Sequence, residues 1–281
     1  MATLYLVSTP IGNLDDLSPR AAETLTSVHR ILAEDTRRSR ILTDRVGASA
    51  PLVSLHAHNE RERIEAIVEW LDAGEEVALV TDAGTPLVSD PGGRVVAAVV
   101  EAGHDVVPIP GPSAVLAALV ASGLPAERFT FLGFVARKGR QREADLARIA
   151  QAEESIVLFE SPHRLVRLLE ELDGLCGEDR RVAVARELTK LHEEFVRGTL
   201  REAAAYYEEH PPKGEVTVVV GPRDPDEAVV DVEAEAQRLA RELLDGGMRP
   251  STVAKEVSTR LDLARNEAYR IVHDLQGSQE G

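Results

Sequence analysis

Short β-branched runs alternate with helical stretches through the first 221 residues, and this alternation constrains the fold more than any other feature of the chain. The strand candidates of a first series are Thr3–Thr9, Arg30–Glu34, Leu52–His56, Glu76–Asp82 and Asp105–Pro110. A second series follows at Arg128–Phe134, Ser155–Ser161, Arg181–Glu187, Glu194–Thr199 and Glu215–Gly221. Between them, Ser18-Pro19, Asp90-Pro91 and Ser161-Pro162 each set a capping side chain before a proline suited to the first helical position. From Asn59 to Asp72 the residues Ile64, Ile67, Val68 and Leu71 fall on one face, so that segment reads as an amphipathic helix. Strands that alternate with helices bury a sheet under helices, which makes this an α/β protein.

At 281 residues the chain has room for two domains, and its prolines suggest where they part. Pro108-Ile109-Pro110-Gly111-Pro112 can continue neither a central strand nor a helix, so it reads as a hinge between two α/β halves, 1–110 and 111–222. Gly221-Pro222-Arg223-Asp224-Pro225 opens a polar linker over 223–232. Three helical segments over 233–281 follow, near 233–245, 250–260 and 264–275. The last two have the size and small-residue pattern of a helix-turn-helix, either a packing unit or a nucleic-acid contact. Residues 249 to 270 hold five basic and three acidic side chains, a mildly positive stretch.

Composition narrows the function classes. Forty-eight acidic against 32 basic residues give −16, a field that argues against coating nucleic acid over the whole surface but leaves room for a local basic groove. Arg137-Lys138-Gly139-Arg140-Gln141-Arg142, four basic residues in six, is the place for such a contact, or else a solvated loop. No apolar run approaches membrane-spanning length, and the N-terminus lacks a secretory pattern, so a cytoplasmic protein is expected. The single Cys176 anchors neither a disulfide nor a Cys-rich zinc site. There is no G-x-G-x-x-G, no G-x-x-x-x-G-K-[ST] and no H-E-x-x-H, so neither these nucleotide loops nor a metal site is suggested. His56 and His58 read as a polar wall rather than as ligands.

Ligands of an α/β sheet bind at the carboxyl ends of its strands. The richest such loop, Thr81-Asp82-Ala83-Gly84-Thr85-Pro86-Leu87-Val88-Ser89-Asp90-Pro91-Gly92-Gly93, is longer than an ordinary strand-to-helix turn. Other strand ends carry Thr9-Pro10-Ile11-Gly12-Asn13, Glu34-Asp35-Thr36-Arg37-Arg38, Glu160-Ser161-Pro162-His163-Arg164 and Arg186-Glu187-Leu188-Thr189-Lys190. Any one of these charged clusters is equally a surface ion-pair group. Repeated at one edge of two sheets, they point to a shared cleft.

Eight segments in order carry a family resemblance. They are Pro10-Ile11-Gly12-Asn13-Leu14, Ala33-Glu34-Asp35-Thr36-Arg37, His58-Asn59-Glu60, Asp82-Ala83-Gly84-Thr85-Pro86, Pro110-Gly111-Pro112-Ser113, Phe159-Glu160-Ser161-Pro162-His163-Arg164-Leu165, Arg186-Glu187-Leu188-Thr189-Lys190 and Lys213-Gly214-Glu215. Together they resemble the small-subunit ribosomal RNA 2′-O-methyltransferases of the tetrapyrrole methylase superfamily, over about residues 3–221. The terminal helices are similar to that family's C-terminal extension. The resemblance implies two α/β/α domains of tetrapyrrole-methylase type with S-adenosylmethionine in the cleft between them. It also implies 2′-O-methylation of a cytidine ribose in the decoding region of 16S rRNA, and a homodimer.

By position, the resemblance assigns Asp82, Ala83, Gly84, Thr85 and Val88 to the cofactor, with Ser113 and Ala114 at a helix N-terminus suited to a carboxylate. Phe159, Glu215 and Val216 would complete the cofactor site from the second domain. Asn13, Asp35, Arg37, His58 and Asn59 fall on the acceptor side, and Arg164 and Glu187 close the cleft opposite. A ribose hydroxyl is a poor nucleophile, so a base and a cation are expected, Glu34 or Glu160 for the first and Lys190 or Arg186 for the second. Each has an alternative reading as a positioning or ion-pair residue. A net charge of −16 opposes capture of naked RNA, so the assembled small subunit is the expected substrate. The competing readings are a small-molecule, corrin-type methyltransferase and a non-catalytic nucleic-acid-binding regulator built on 233–275.

Overall fold

The computed structural model describes residues 2–224 and 232–277, apart from 178, 247 and 262. Most of the expected 223–232 linker and the end of the C-terminal extension lie outside the described residues. The chain forms two units, Met1–Arg223, which holds two sheets, and Asp224–Gly281.

The first sheet contains β1 (Thr3–Val7), β2 (Arg30–Ala33), β3 (Leu52–Ser54), β4 (Val77–Val80) and β5 (Asp105–Ile109), in the order β3-β2-β4-β1-β5. Every pair in it is parallel. Its middle strand β4 is apolar throughout, as a strand covered on both faces must be, and all four of its residues are buried. Four helices connect it: α1 (Pro19–Ser27), α2 (Thr36–Val46), α3 (Glu60–Asp72) and α4 (Gly93–Glu101). Helix α3 buries Ile67 and Leu71, with Ile64 packed against the same core.

Pro108 continues β5, opposite Leu6, although three prolines in five residues argue against a strand. It is tolerated because β5 is an edge strand, where the missing N–H removes no partner. Ser18 caps α1 as its sequence predicts, accepting from the Ala21 N–H at 3.1 Å. Asp90-Pro91 does not open a helix. Helix α4 starts two residues later, and the buried Glu60 carboxylate accepts from Gly92 N (3.2 Å) and Arg94 N (2.8 Å) in place of a local cap.

The second sheet contains β6 (Phe129–Phe134), β7 (Ser155–Glu160), β8 (Arg181–Arg186), β9 (Glu194–Thr199) and β10 (Val216–Val220), in the order β6-β7-β10-β8-β9. Only β6 and β7 are parallel; β10 runs antiparallel to both β7 and β8. Helices α6 (Arg140–Gln151), α7 (Leu165–Cys176) and α8 (Leu200–Glu209) cover one face. Helix α5 (Ala114–Ala121) covers the other, burying Val115, Ala118 and Leu119 against Val157, Ala183 and Val219. Ile11 and Ala83, from loops of the first sheet, join the same cluster. Burial of a Val or Leu contributes roughly 1.5–3 kcal/mol, so this layer holds the two sheets together over the site.

The C-terminal unit is three helices, α9 (Val232–Asp245), α10 (Pro250–Arg260) and α11 (Arg265–Gly277), around a core that includes Ala236, Ala240, Val253, Ala254, Val257 and Ile271. Small residues let such short helices approach closely. Among the described residues no helix is long and apolar enough to cross a membrane.

Candidate active site

A cavity of about 430 Å³ opens where the two sheets meet, within the range of small-molecule sites. The first sheet supplies its walls from the ends of β2 and β4, as the carboxyl-end rule requires of parallel strands. The second sheet supplies the end of β7 and the start of β10. These lie together because the strands are antiparallel, with Val216 paired opposite Glu160. All ten residues assigned to the cofactor by resemblance line this cavity, and so do Glu34 and Glu160.

The loop after β4 is held in shape from several directions. Gly84 and Thr9 exchange backbone hydrogen bonds at 2.9 and 3.1 Å, and the Thr85 hydroxyl donates to the Pro112 carbonyl at 3.4 Å. Thr81 donates its hydroxyl to Asp90. Leu87 and Ser89 take left-handed backbone angles (φ 72° and 71°), costly for residues with a Cβ. Opposite the loop, Phe159 packs edge-on to Phe131 and near Phe134, with ring centroids 5.0 and 5.6 Å apart.

Three carboxylates, Glu34, Asp82 and Asp90, gather on the first-sheet side with Arg38. Burial, then the charges of Asp90 and Asp82, pushes the Glu34 carboxyl above its ordinary range, against the pull of Arg38. Burial likewise raises Asp90, more than its bond from Thr81 lowers it. Asp82 accepts from the Asp35 N–H at 3.1 Å and pairs with Arg38 at 3.3 Å. Glu34 and Asp90 therefore hold a proton more tightly than ordinary carboxylates.

Charged groups of the second sheet are already paired. Glu160 is buried, and its Oε1 accepts from Arg164 Nε and Ser161 N, each at 2.6 Å; its Oε2 has no partner among the described residues. Lys190 donates to Glu187 (2.7 Å) and to Glu215 (3.0 Å), a lining residue. Burial disfavours the Lys190 ammonium, but these two bonds outweigh it and its pKa lies above the ordinary value; the Lys190 hydrogen bond holds Glu187 below its own. A Cβ on Gly214 would fall 2.1 Å from Glu187 Oε1, so only glycine leaves room for this carboxylate beside the cavity. Arg186 reaches Glu194 (3.1 Å) and the Lys213 carbonyl instead of the cavity. Neither Lys190 nor Arg186 lines it.

The loop carrying Lys190 also grips the first sheet. Asn13 N donates to Thr189 Oγ1 at 3.0 Å, and a Cβ on Gly12 would stand 2.4 Å from Lys190 Cγ and 2.8 Å from the Leu188 carbonyl. Glu187 and Thr189 in this loop are left-handed (φ 52° and 63°). With Leu87 and Ser89 they are the only such non-glycine residues among those described.

The remaining acceptor-side residues serve local structure. Asp35 caps α2 and pairs with the exposed Arg37, whose hydrogen bonds lower its carboxyl to about 2. Asn59 accepts from His56 N and donates to the Ser54 carbonyl, shaping the turn into α3, and His58 is exposed. In the basic segment, Arg142 is not available to a partner: it is buried, bound to Glu171 and to the Ala136 carbonyl. Arg137, Lys138 and Arg140 remain exposed. Arg38, Asp90 and Phe134 also line the cavity, beyond the residues that the sequence assigns to it. Arg38 is legible as the residue one helical turn beyond Glu34, whereas Asp90-Pro91 has the local form of a helix start and Phe134 is the last residue of β6, which hides their place at the cavity.

The family model for Tetrapyrrole (Corrin/Porphyrin) Methylases matches residues 3–204. The chain belongs to the tetrapyrrole methylase family. Among curated tetrapyrrole methylase relatives, it is 44% identical to the ribosomal RNA small subunit methyltransferase I of Synechocystis, over 98% of this chain and 99% of that protein. It is 39% identical to the protein of the same name in Bacillus subtilis, over 98% and 94%. The solved structure of a uroporphyrin-III C-methyltransferase from Thermus thermophilus, complexed with S-adenyl homocysteine, has the same fold. Its TM-score is 0.57 at 21% identity, over 82% of this chain and all of that one. The tetrapyrrole methylase fold thus explains why a cleft between sheets replaces the nucleotide loops missing from the sequence.

Proposed function

We propose that this chain is a cytoplasmic S-adenosylmethionine-dependent methyltransferase that 2′-O-methylates a cytidine ribose in the decoding region of 16S rRNA, on the assembled small subunit. Similarity along nearly the whole chain to curated ribosomal RNA small subunit methyltransferases I carries this reading. The cavity fits the cofactor: apolar Val88, Ala114 and Phe159 suit an adenosine, the N-terminus of α5 at Ser113 suits a carboxylate, and nearby carboxylates suit a sulfonium. When bound, S-adenosylmethionine supplies an activated methyl group, so the protein needs only to orient and deprotonate the acceptor.

Glu34 is the base. It lines the cavity, has no salt-bridge partner among the described residues and binds a proton more tightly than an ordinary carboxylate, so it accepts the 2′-hydroxyl proton on its carboxylate. Arg38 beside it stabilises the oxygen as charge develops. Glu160, fastened to Arg164, holds the end of β7, and Lys190 positions Glu215 at the rim. The two sheets, 1–110 and 111–222, act as separate domains around the reaction. Exposed Leu116 and Val120 on α5 support a homodimer, and the mild positive charge of 249 to 270 supports an RNA contact by α10 and α11.

The test is transfer of labelled methyl from S-adenosylmethionine to unmethylated small subunits and to free 16S rRNA, with the product mapped to its nucleotide. Label on a ribose of the subunits, in excess over free RNA, is expected. Label on a base refutes the ribose assignment, and equal rates refute the preference for the particle.

A further inference from the structure

Beside the main cavity lies a smaller pocket of about 130 Å³ that no part of the functional reading uses. Leu14, Ile41 and Leu42 give it apolar walls, and Arg38 and Asp82 stand on its border, where they also line the main cavity. Ser39, another lining residue, is buried, and its hydroxyl has no hydrogen-bond partner among the described residues, an unusual state for a buried donor. Ile41 at the rim is 62% exposed, an apolar side chain left facing water.

We propose that this pocket receives the base of the acceptor nucleotide, a single-ring base bearing an amino group. The inference rests on the proposed methylation of a ribose in RNA. An enzyme that acts on a nucleotide within folded RNA turns it out of the stack and reads the base between apolar walls and a polar edge. The pocket has both. Asp82 only accepts hydrogen bonds and Arg38 only donates them, so side by side they match an amino group next to a ring acceptor, the pattern of cytosine. The Ser39 hydroxyl provides a third polar group. The small volume turns away a second ring. Because Arg38 and Asp82 border both spaces, a sugar attached to the seated base lies at the mouth of the cavity that holds Glu34.

The experiment uses the full-length protein with unmethylated small subunits. Ser39→Val fills the pocket and removes its hydroxyl, and Ile41→Asp puts a charge on its rim at an exposed site that folding tolerates. For both variants, kcat/KM for the subunits should fall about tenfold or more. S-adenosylmethionine binding measured by calorimetry should stay unchanged. Subunits with a purine at the target position should be methylated at least about tenfold more slowly by the unaltered protein. Should Ser39→Val fail to fold, by its circular dichroism, Ile41→Asp decides alone. Unchanged kcat/KM overturns the pocket assignment, as does weakened cofactor binding, which would give the pocket to the cofactor, or ready acceptance of a purine. If the unaltered protein methylates no ribosomal RNA, the functional reading fails first and the pocket assignment falls with it.

Discussion

The two sheets meet the same cavity on different terms. In the first, every strand runs the same way, so the loops after β1, β2 and β4 emerge at one edge and all can reach a ligand. In the second, the site is built only because β10 runs against β7, which brings the start of one strand to the end of the other. Their charges differ as well. Glu34 and Asp90 are half-buried and proton-hungry, while Glu160, Glu187 and Arg186 are each bound to an opposite charge. A parallel edge offers reactive groups to a ligand; a paired, antiparallel edge holds them in place.

The sharpest way to break this contrast is to neutralise one carboxylate on each side. Glu34→Gln should lower kcat by about 100-fold or more with cofactor affinity retained, in single-turnover methylation. A larger loss from Glu160→Gln would move the chemistry to the second sheet. The grip between the sheets comes next. Gly12→Ala must displace Lys190 and the Leu188 backbone, and should cost roughly 1–3 kcal/mol in denaturant titration together with a clear loss of kcat/KM. Glu160→Gln itself is expected to act on stability, by about 2 kcal/mol, since it weakens the charge-assisted bond to Arg164.

The smallest effect is on pH. Methylation that needs ionised Glu34 rises as pH climbs through its raised pKa. Asp90→Asn removes one of the charges that raise it, so this acid limb should move to lower pH. A carboxyl whose pKa is raised by folding stabilises the fold at low pH and loses that contribution as pH rises through the folded value. The melting temperature of Asp90→Asn relative to the parent should therefore improve from acid to neutral pH.

Much of this was legible in the sequence, and the omissions have physical causes. All ten strands were visible because β-branched runs bounded by Gly, Pro and acidic residues have few other folds. Loops were legible where glycine and proline fixed them, as at Asp82–Pro86. Side-chain roles were not. Asp90-Pro91 has the local form of a helix start, yet Glu60, thirty-odd residues away in sequence, takes the cap. Arg186 and Arg142 look like free cations in sequence, and only their neighbours across the fold, Glu194 and Glu171, reveal them as structural. Local pattern reports the backbone; pairing between distant segments decides which charges remain for a ligand.

The four left-handed side chains at Leu87, Ser89, Glu187 and Thr189 carry a lesson for anyone engineering heat tolerance. Glycine at such a position relieves torsion yet enlarges the freedom of the denatured chain, so the gain in melting point is small. What would be surrendered is stiffness in the two segments that border the reaction, and a sturdier variant is better sought on the outer helices.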